Sequence, residues 1–429
     1  MDSNKMIHSV TLDKEKCVGC TTCVKRCPTN AIRVRDKKAT IIKERCIDCG
    51  ECIRVCEHHA KKAVADPLTI IQNYRFSIAL PAPSLYGQFS GIRDRNVLLT
   101  ALKRIGFDDV FEVSAAAEAV SAATRKELQR DDLPRPVIST ACPTVLRIIR
   151  VRFPSLLPNL LPYRPPMELA ARWARARAVK QTGLKPEEIG CFFISPCPAK
   201  ATSAKMPIGT VKSAVSGVIS IADVYTKMMP LVKKITEPEQ LAMSGVPGVS
   251  WAVSGGESMG IGDTNYLAAD GMENVIRILE ALEDEQLENV HFVELNACVG
   301  GCVGGALTVE NPYIAKARLD RLIRQAAPVL PPDDLPDWDL RWDEAVEYAP
   351  VMQLGESVAA AMSKLGQIRE LETHFPGMDC GACGAPSCHA LAEDIVGGFS
   401  TEDQCIFVIR EKLQKLIEEQ HKAAKEDQE

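Results

Sequence analysis

The stretch "KEKCVGCTTCVKRCPTNAI" from Lys14 returns as "KERCIDCGECIRVCEHHAK" from Lys43, 29 residues later. Each copy spells Cys-x2-Cys-x2-Cys-x3-Cys, as Cys17, Cys20, Cys23 and Cys27, then Cys46, Cys49, Cys52 and Cys56. A fixed internal period reports a duplicated structural unit. Two x2 loops wrap three corners of an iron–sulfur cubane, and the fourth corner must come from further away. A pair of zinc knuckles is the competing reading, and eight thiols at a duplicated spacing disfavour it. Between the copies, "IRVRDKKATII" reads as two short strands around a charged turn. Glu57 stands where Pro28 follows the fourth cysteine of the first copy, which predicts a less fixed turn there.

The chain of 429 residues holds 17 cysteines. No apolar segment opens "MDSNKMIHSVTLDKEK", and no run of 18 or more apolar residues suggests a membrane span. The expected compartment is the cytoplasm, where abundant cysteine points to metal rather than disulfides. Residues 1–63 carry 14 Lys and Arg against 8 Asp and Glu, although the whole chain carries −5. A basic module can mark nucleic acid or an acidic partner. Compensation of cluster thiolates is the simpler reading, so neither a nucleic acid nor a membrane is expected as a partner.

Three segments are expected: 1–66 around the duplicated cysteines, 67–348 as the main body, and 349–429 at the end. The main body alternates strands and helices. "FSIALPAP" reads as a buried strand; "AAAEAVSAATRKELQ", "MELAARWARARAVKQ" and "MENVIRILEALEDEQL" read as amphipathic helices. "PVISTACP", "GCFFISPCP" and "VHFVELNACVGG" are short apolar runs, each ending at a cysteine. Such alternation implies parallel sheets flanked by helices, an α/β body in two lobes, with functional loops at the strand C-termini. Pro328–Asp339 reads as a linker. A final helix from about Glu402 to Lys425 spaces Ile406, Ile409, Leu413 and Leu416 at 3-4-3. The expectation is packing on its own domain, with a homodimeric coiled coil as the alternative.

The last motif is Cys380-x2-Cys383-x4-Cys388-x16-Cys405. Four soft ligands at tight spacing suit a cubane or zinc. This stretch resembles the small 4Fe–4S domain of the corrinoid Fe–S protein and of Rnf-type electron-transfer subunits, which favours a cubane in a mostly helical unit. The N-terminal repeat is similar to two-cluster bacterial ferredoxins, an α+β fold, and by that resemblance the fourth cysteine of each copy ligates the other cluster: one takes Cys17, Cys20, Cys23 and Cys56, the other Cys46, Cys49, Cys52 and Cys27.

Five cysteines remain. Cys191 lies in an apolar strand and reads as a core thiol. The region from about Tyr74 to Glu310 resembles the catalytic domain of iron-only (FeFe) hydrogenases, whose cysteine loops read approximately TSCCP, MPCxxK and MACxxGCxGG. "STACP", "SPCPAK" and "NACVGGCVGG" match them. By that resemblance Cys142, Cys197, Cys298 and Cys302 hold a fourth cubane. Cys302 bridges to a diiron subsite bearing CO, cyanide and a dithiolate, together the H-cluster. Lys200 matches the lysine that binds one cyanide. Ala82, Pro83 and Ser84 match the loop that packs on the diiron unit and binds the other. "VSGGESMG" from Val253 resembles a further glycine segment of the family.

The departures from the pattern are specific. Ala141 replaces the thiol that relays protons, worth about 10²–10⁴-fold in rate for a positioned proton-transfer group. Ser195 and Asn296 replace methionines, Ser203 replaces a glutamate, and only Glu127 offers itself as a relay glutamate. The pattern resembles the sensory branch of the family, so the expected activity is slow, reversible H2 cleavage serving H2 sensing, with electrons passed to a redox or signalling partner. Two other readings stand beside it: an electron-transfer subunit of a larger redox complex, and a non-catalytic Fe–S scaffold or carrier without the diiron subsite.

Overall fold

The structure is a computed structural model describing residues 7–325 and 340–426; the expected linker at Pro328–Asp339 lies outside the described residues. Strands β1 (Val10–Leu12) and β4 (Lys61–Ala63) pair antiparallel, as do β2 (Ile32–Arg35) and β3 (Lys38–Ile41). The β2–β3 hairpin turns through Asp36 and Lys37, both at positive φ. The two cysteine copies have matching turns. Asn30 N–H donates to Cys27 O, and His59 N–H donates to Cys56 O. Asn30 and His59 share a left-handed φ near 50°. Glu57 therefore does not loosen its turn: the backbone hydrogen bond, rather than proline, closes both copies.

The main body contains two parallel sheets. One has the order β6 (Asp109–Val110), β5 (Phe76–Pro81), β8 (Ile189–Ser195), β9 (Gly217–Ser220). The other has the order β10 (Tyr266–Asp270), β11 (Phe292–Asn296), β7 (Val137–Ile138). All seven residues of β8 are buried, as a strand covered by helices on both faces requires. Cys191 sits at its middle, fully buried, and burial pushes its thiol up to about 11. The expected helices appear as Val113–Glu127, Pro166–Thr182 and Met272–Glu283. After the undescribed stretch the chain returns to this body, where Leu340 and Trp342 pack into its cores.

The cysteine-repeat module is keyed into the main body. Ile47, between Cys46 and Asp48, is buried among Ile138, Val145 and Leu295 of the β7–β11 lobe. Asp48 is fully buried and accepts from Arg147 Nη1 at 2.6 Å, from Thr202 Oγ1 at 2.8 Å and from the Ser9 amide at 2.8 Å. At the C-terminal end the Val358–Thr373 helix packs on the Cys388–Val396 helix. The last helix, Ile406–Glu426, departs from expectation. Val408 is buried, but Ile406, Ile409, Leu413 and Leu416 are exposed, so only its first turn packs on its own unit. No described helix is long and apolar enough to cross a membrane.

Removing one partner of a buried ion pair costs about 3–5 kcal/mol. Asp48→Ala is expected to lower unfolding stability by about that amount, read as a lower denaturant midpoint. A midpoint unchanged from wild type contradicts the role of Asp48 as the key between the two parts.

Candidate iron–sulfur centre in the inter-lobe cleft

Parallel sheets direct their strand C-termini to one edge, and both sheets here direct theirs to the same cleft. β5 runs into Ala82-Pro83-Ser84, β8 into Cys197, β7 into Ala141-Cys142, and β11 into Cys298. A cavity of about 90 Å³ lies between them, lined by all four cleft cysteines, Lys200, Ala141, Asn296, Ala82 and Pro83. Cys142 and Cys197 each precede a helix that opens on proline, Pro143–Arg152 and Pro198–Lys205. Proline suits the first helical position, and both thiols are thereby fixed at a helix start.

The Cys298–Cys302 loop needs its glycines. Gly301 has φ +89°, and a Cβ there would lie 2.6 Å from the Ser254 amide. At Gly305 a Cβ would lie 2.1 Å from Pro196 O. The loop thus crosses the Val253–Ser254 and Pro196 backbones in direct contact. The glycines serve protein–protein approach at least as much as approach to an inorganic group.

Burial holds the Cys197 thiol up at about 12 and pushes Cys298 and Cys302 up as well. Buried thiols of this kind ionise only when a cation takes them. Arg54 of the N-terminal module lies against Cys298 and opposes the upward push, and its Nη2 donates to Gly304 O at 2.8 Å. Lys200 donates to Ala141 O at 2.8 Å and lines the cavity. Ser84 Oγ is fully buried and has no hydrogen-bond partner among the described residues. Four convergent soft thiols fit an iron–sulfur cluster. The Lys200 ammonium beside them fits a small anionic ligand on a further metal unit; Ser84 follows the lining residues Ala82 and Pro83 but is not itself among the cavity residues.

The structure relocates two expected residues. Ser195 does not line the cavity; its hydroxyl donates to Cys197 O at 2.9 Å and accepts from Cys197 N–H, bracing that turn. Glu127 is held by Arg341, Arg130 and Tyr163, and is not among the cavity residues. Its helix turns that end away from the cleft. Ser203 lines a neighbouring cavity with Ala141 and Lys200.

Two acidic residues that the motif comparison passed over face the cavity: Glu257 and Glu294. Ser139 Oγ donates to Glu257 at 2.6 Å and also accepts from the Ala141 amide. Glu294 accepts from Gly255 N–H, Ser258 N–H, Ser258 Oγ and Asn296 Nδ2. Burial, then the neighbouring Glu294 charge, raises the Glu257 carboxyl to about 8. Burial raises Glu294 too. Their signal was an acid inside an apolar strand, "HFVELN", and another inside a glycine turn, "SGGESMG".

The other thiols group as the repeat predicts. One chamber is lined by Cys17, Cys20, Cys23 and Cys56, and a second by Cys27, Cys46, Cys49 and Cys52. Cys49 also lines the cleft cavity. Ala31 N–H points at Cys27 Sγ and Ala60 N–H at Cys56 Sγ, the same contact in each copy. Amide hydrogen bonds to cluster sulfurs tune reduction potential. At the C-terminal end Cys383 and Cys388 pack beside the buried Cys405, and the exposed Cys380 lies close enough to act electrostatically on Cys383.

Comparison with known families agrees with this arrangement. The description "Iron only hydrogenase large subunit, C-terminal domain" matches residues 75–256 and 232–306. The chain belongs to this family. A 4Fe-4S dicluster domain matches 9–57, and an Fe–S cluster family matches 375–407. This iron-only hydrogenase family member is 25% identical over 383 residues to the periplasmic Fe hydrogenase large subunit of Nitratidesulfovibrio vulgaris, covering 73% of this chain and 89% of that one. It is also 25% identical over 165 residues, 38% of this chain and 28% of the relative, to the cytosolic Fe-S cluster assembly factor nar1 of Aspergillus flavus. A variant of FeFe-hydrogenase HydA1 from Chlamydomonas reinhardtii shares the fold at TM-score 0.51 and 15% identity, covering 67% of this chain and 97% of that one. The family member is thus an iron–sulfur protein of the oxidoreductase kind.

Glu257 binds its proton more tightly folded than unfolded. Its contribution to stability is complete below the ordinary glutamate range and is lost as pH rises through about 8. Glu257→Gln is expected to lose less stability than wild type between about pH 6 and about pH 9. Thermal midpoints across that range check this; parallel curves contradict a raised carboxyl.

Proposed function

We propose that this chain cleaves H2 reversibly and slowly in the cleft, and that its role is H2 sensing. One observation carries the reading: Cys142, Cys197, Cys298 and Cys302 converge on a single cavity with Lys200, Ala82 and Pro83. The cysteines would hold a cubane, with Cys302 as the bridge to a diiron unit, and Lys200 and Ser84 would bind its cyanides. When bound, that centre supplies the Lewis-acid metal and base at which H2 is split.

The remaining chemistry belongs to the chain. Ala141 presents a methyl group and cannot donate or accept a proton. Glu257 can, because its carboxyl faces the same cavity and its proton affinity lies close to neutrality. A general acid–base group works best when its pKa is near the operating pH. Ser139 hydroxyl fixes the Glu257 carboxyl, and Asn296 fixes that of Glu294. The pair would hold and release a proton where the thiol is missing, over a longer and slower path. Such a site suits detection more than bulk turnover, with a cytoplasmic redox or signalling protein as electron partner.

A second reading has one observation behind it, the similarity to the assembly factor. It makes the chain a scaffold or carrier with a bare cubane in the cleft. Iron counting separates the two: about 18 irons per chain for the full set, about 16 for four cubanes. H2-dependent dye reduction should accompany the higher count. Absence of turnover at about 18 irons would overturn catalysis. Ala141→Cys is expected to raise turnover, and Glu257→Gln to lower it by about 10²–10⁴-fold, with iron content unchanged. Wild-type turnover in Glu257→Gln contradicts the carboxyl route.

A further inference from the structure

The C-terminal unit is fastened to the outer face of the cysteine-repeat module by a buried ion pair. Arg33 Nε donates to Asp394 Oδ2 at 2.7 Å and its Nη2 to Asp394 Oδ1 at 3.0 Å. Arg35 Nη2 adds a bond to Oδ2 at 2.8 Å. The Arg33 and Asp394 side chains are only 6% and 11% exposed. Two arginines on one carboxylate, one of them bidentate, fix orientation as well as distance. Arg45 reaches Glu393 beside this pair.

The clamp presses the C-terminal cysteine loop onto β2. Val34 N–H donates to Gly384 O at 2.9 Å, and Arg35 Nη1 donates to Cys383 O at 2.7 Å. A Cβ at Gly384, where φ is +79°, would meet Val34 O at 1.9 Å, so the contact is backbone on backbone. Val34 also lines the chamber of Cys17, Cys20, Cys23 and Cys56. A single residue of β2 thus separates that chamber from the Cys380–Cys388 loop. At the opposite side of the module, Cys49 belongs to both the second chamber and the cleft. The four cysteine sets therefore stand in file: C-terminal unit, outer chamber, inner chamber, cleft.

We propose that Asp394 is a positioning residue that locks the Cys380, Cys383, Cys388 and Cys405 unit onto the outer chamber, making this unit the outer terminus of the redox chain. The inference rests on the cluster assignments of the three units and not on H2 cleavage. Nothing in the 16-residue spacing between Cys388 and Cys405 demands Asp394 or a paired arginine. A unit that only needed to fold would not require both arginines of β2 inside its interface.

The test uses the full chain with its clusters, reduced by dithionite, and reads low-temperature electron paramagnetic resonance. Neighbouring reduced clusters broaden one another's signals and shorten their relaxation, steeply with distance. Wild type is expected to show that interaction. Asp394→Ala should retain the iron content and lose the part of that interaction contributed by the C-terminal unit, leaving the coupling between the two chambers of the module, and Asp394→Glu should restore part of what is lost. Arg33→Lys, which alters the module's side of the clamp, should weaken it in the same direction. Unchanged broadening in Asp394→Ala overturns the proposal. Loss of about four irons in Asp394→Ala also overturns it, because Asp394 would then maintain the unit rather than place it. The readout needs neither H2 nor the diiron unit, so it stands or falls apart from the catalytic reading.

Discussion

Asp48 is a single buried carboxylate between Cys46 and Cys49, and three parts of the molecule meet on it. Arg147 reaches it from the helix that starts after Cys142. Thr202 reaches it from the helix that starts after Cys197. The Ser9 amide ties in the strand that edges the N-terminal module. A charge this deeply buried is tolerable only when every lone pair finds a donor. Satisfying it fixes the inner chamber relative to two of the four cleft thiols. The spacing of the redox-active sites is thus set by rigid elements and one ion pair, and Ile47 beside it adds an apolar key worth about 1.5–3 kcal/mol.

The same logic recurs at the far side of the module with opposite polarity. There the carboxylate, Asp394, comes from the C-terminal unit and the cations come from β2. The excess of Lys and Arg in residues 1–63 thereby finds specific work. Arg54 marks the inward face, where the module's Asp48 also meets Arg147 of the main body, and Arg33, Arg35 and Arg45 mark the outward one.

Much of this was legible in the sequence. The 29-residue repeat, read through its likeness to two-cluster ferredoxins, pointed to the two chambers, each lined by three cysteines of one copy and the fourth of the other. The strand-end cysteines gave the cleft, because parallel strands all deliver their loops to one edge. What could not be read depended on tertiary contact. Ser195 looked like a replacement aimed at the cluster, yet its hydroxyl finds the nearer Cys197 backbone. Glu127 had the right neighbourhood in sequence, but its helix carries it into an arginine cluster. Glu257 and Glu294 are 37 positions apart and belong to no spacing rule; only the fold brings both to the cavity. The amphipathic final helix looked like a packing element, and most of it stands free of its own unit.

We propose that the cleft receives a diiron unit with small anionic ligands, beside Lys200 and the loop of Ala82, Pro83 and Ser84. Infrared spectroscopy of the matured protein tests it most directly, since metal-bound CO and cyanide absorb where protein does not. The account predicts CO and cyanide bands in wild type, and a displaced cyanide band in Ser84→Ala as the hydroxyl is withdrawn. A spectrum of iron-loaded, matured protein without such bands would contradict it.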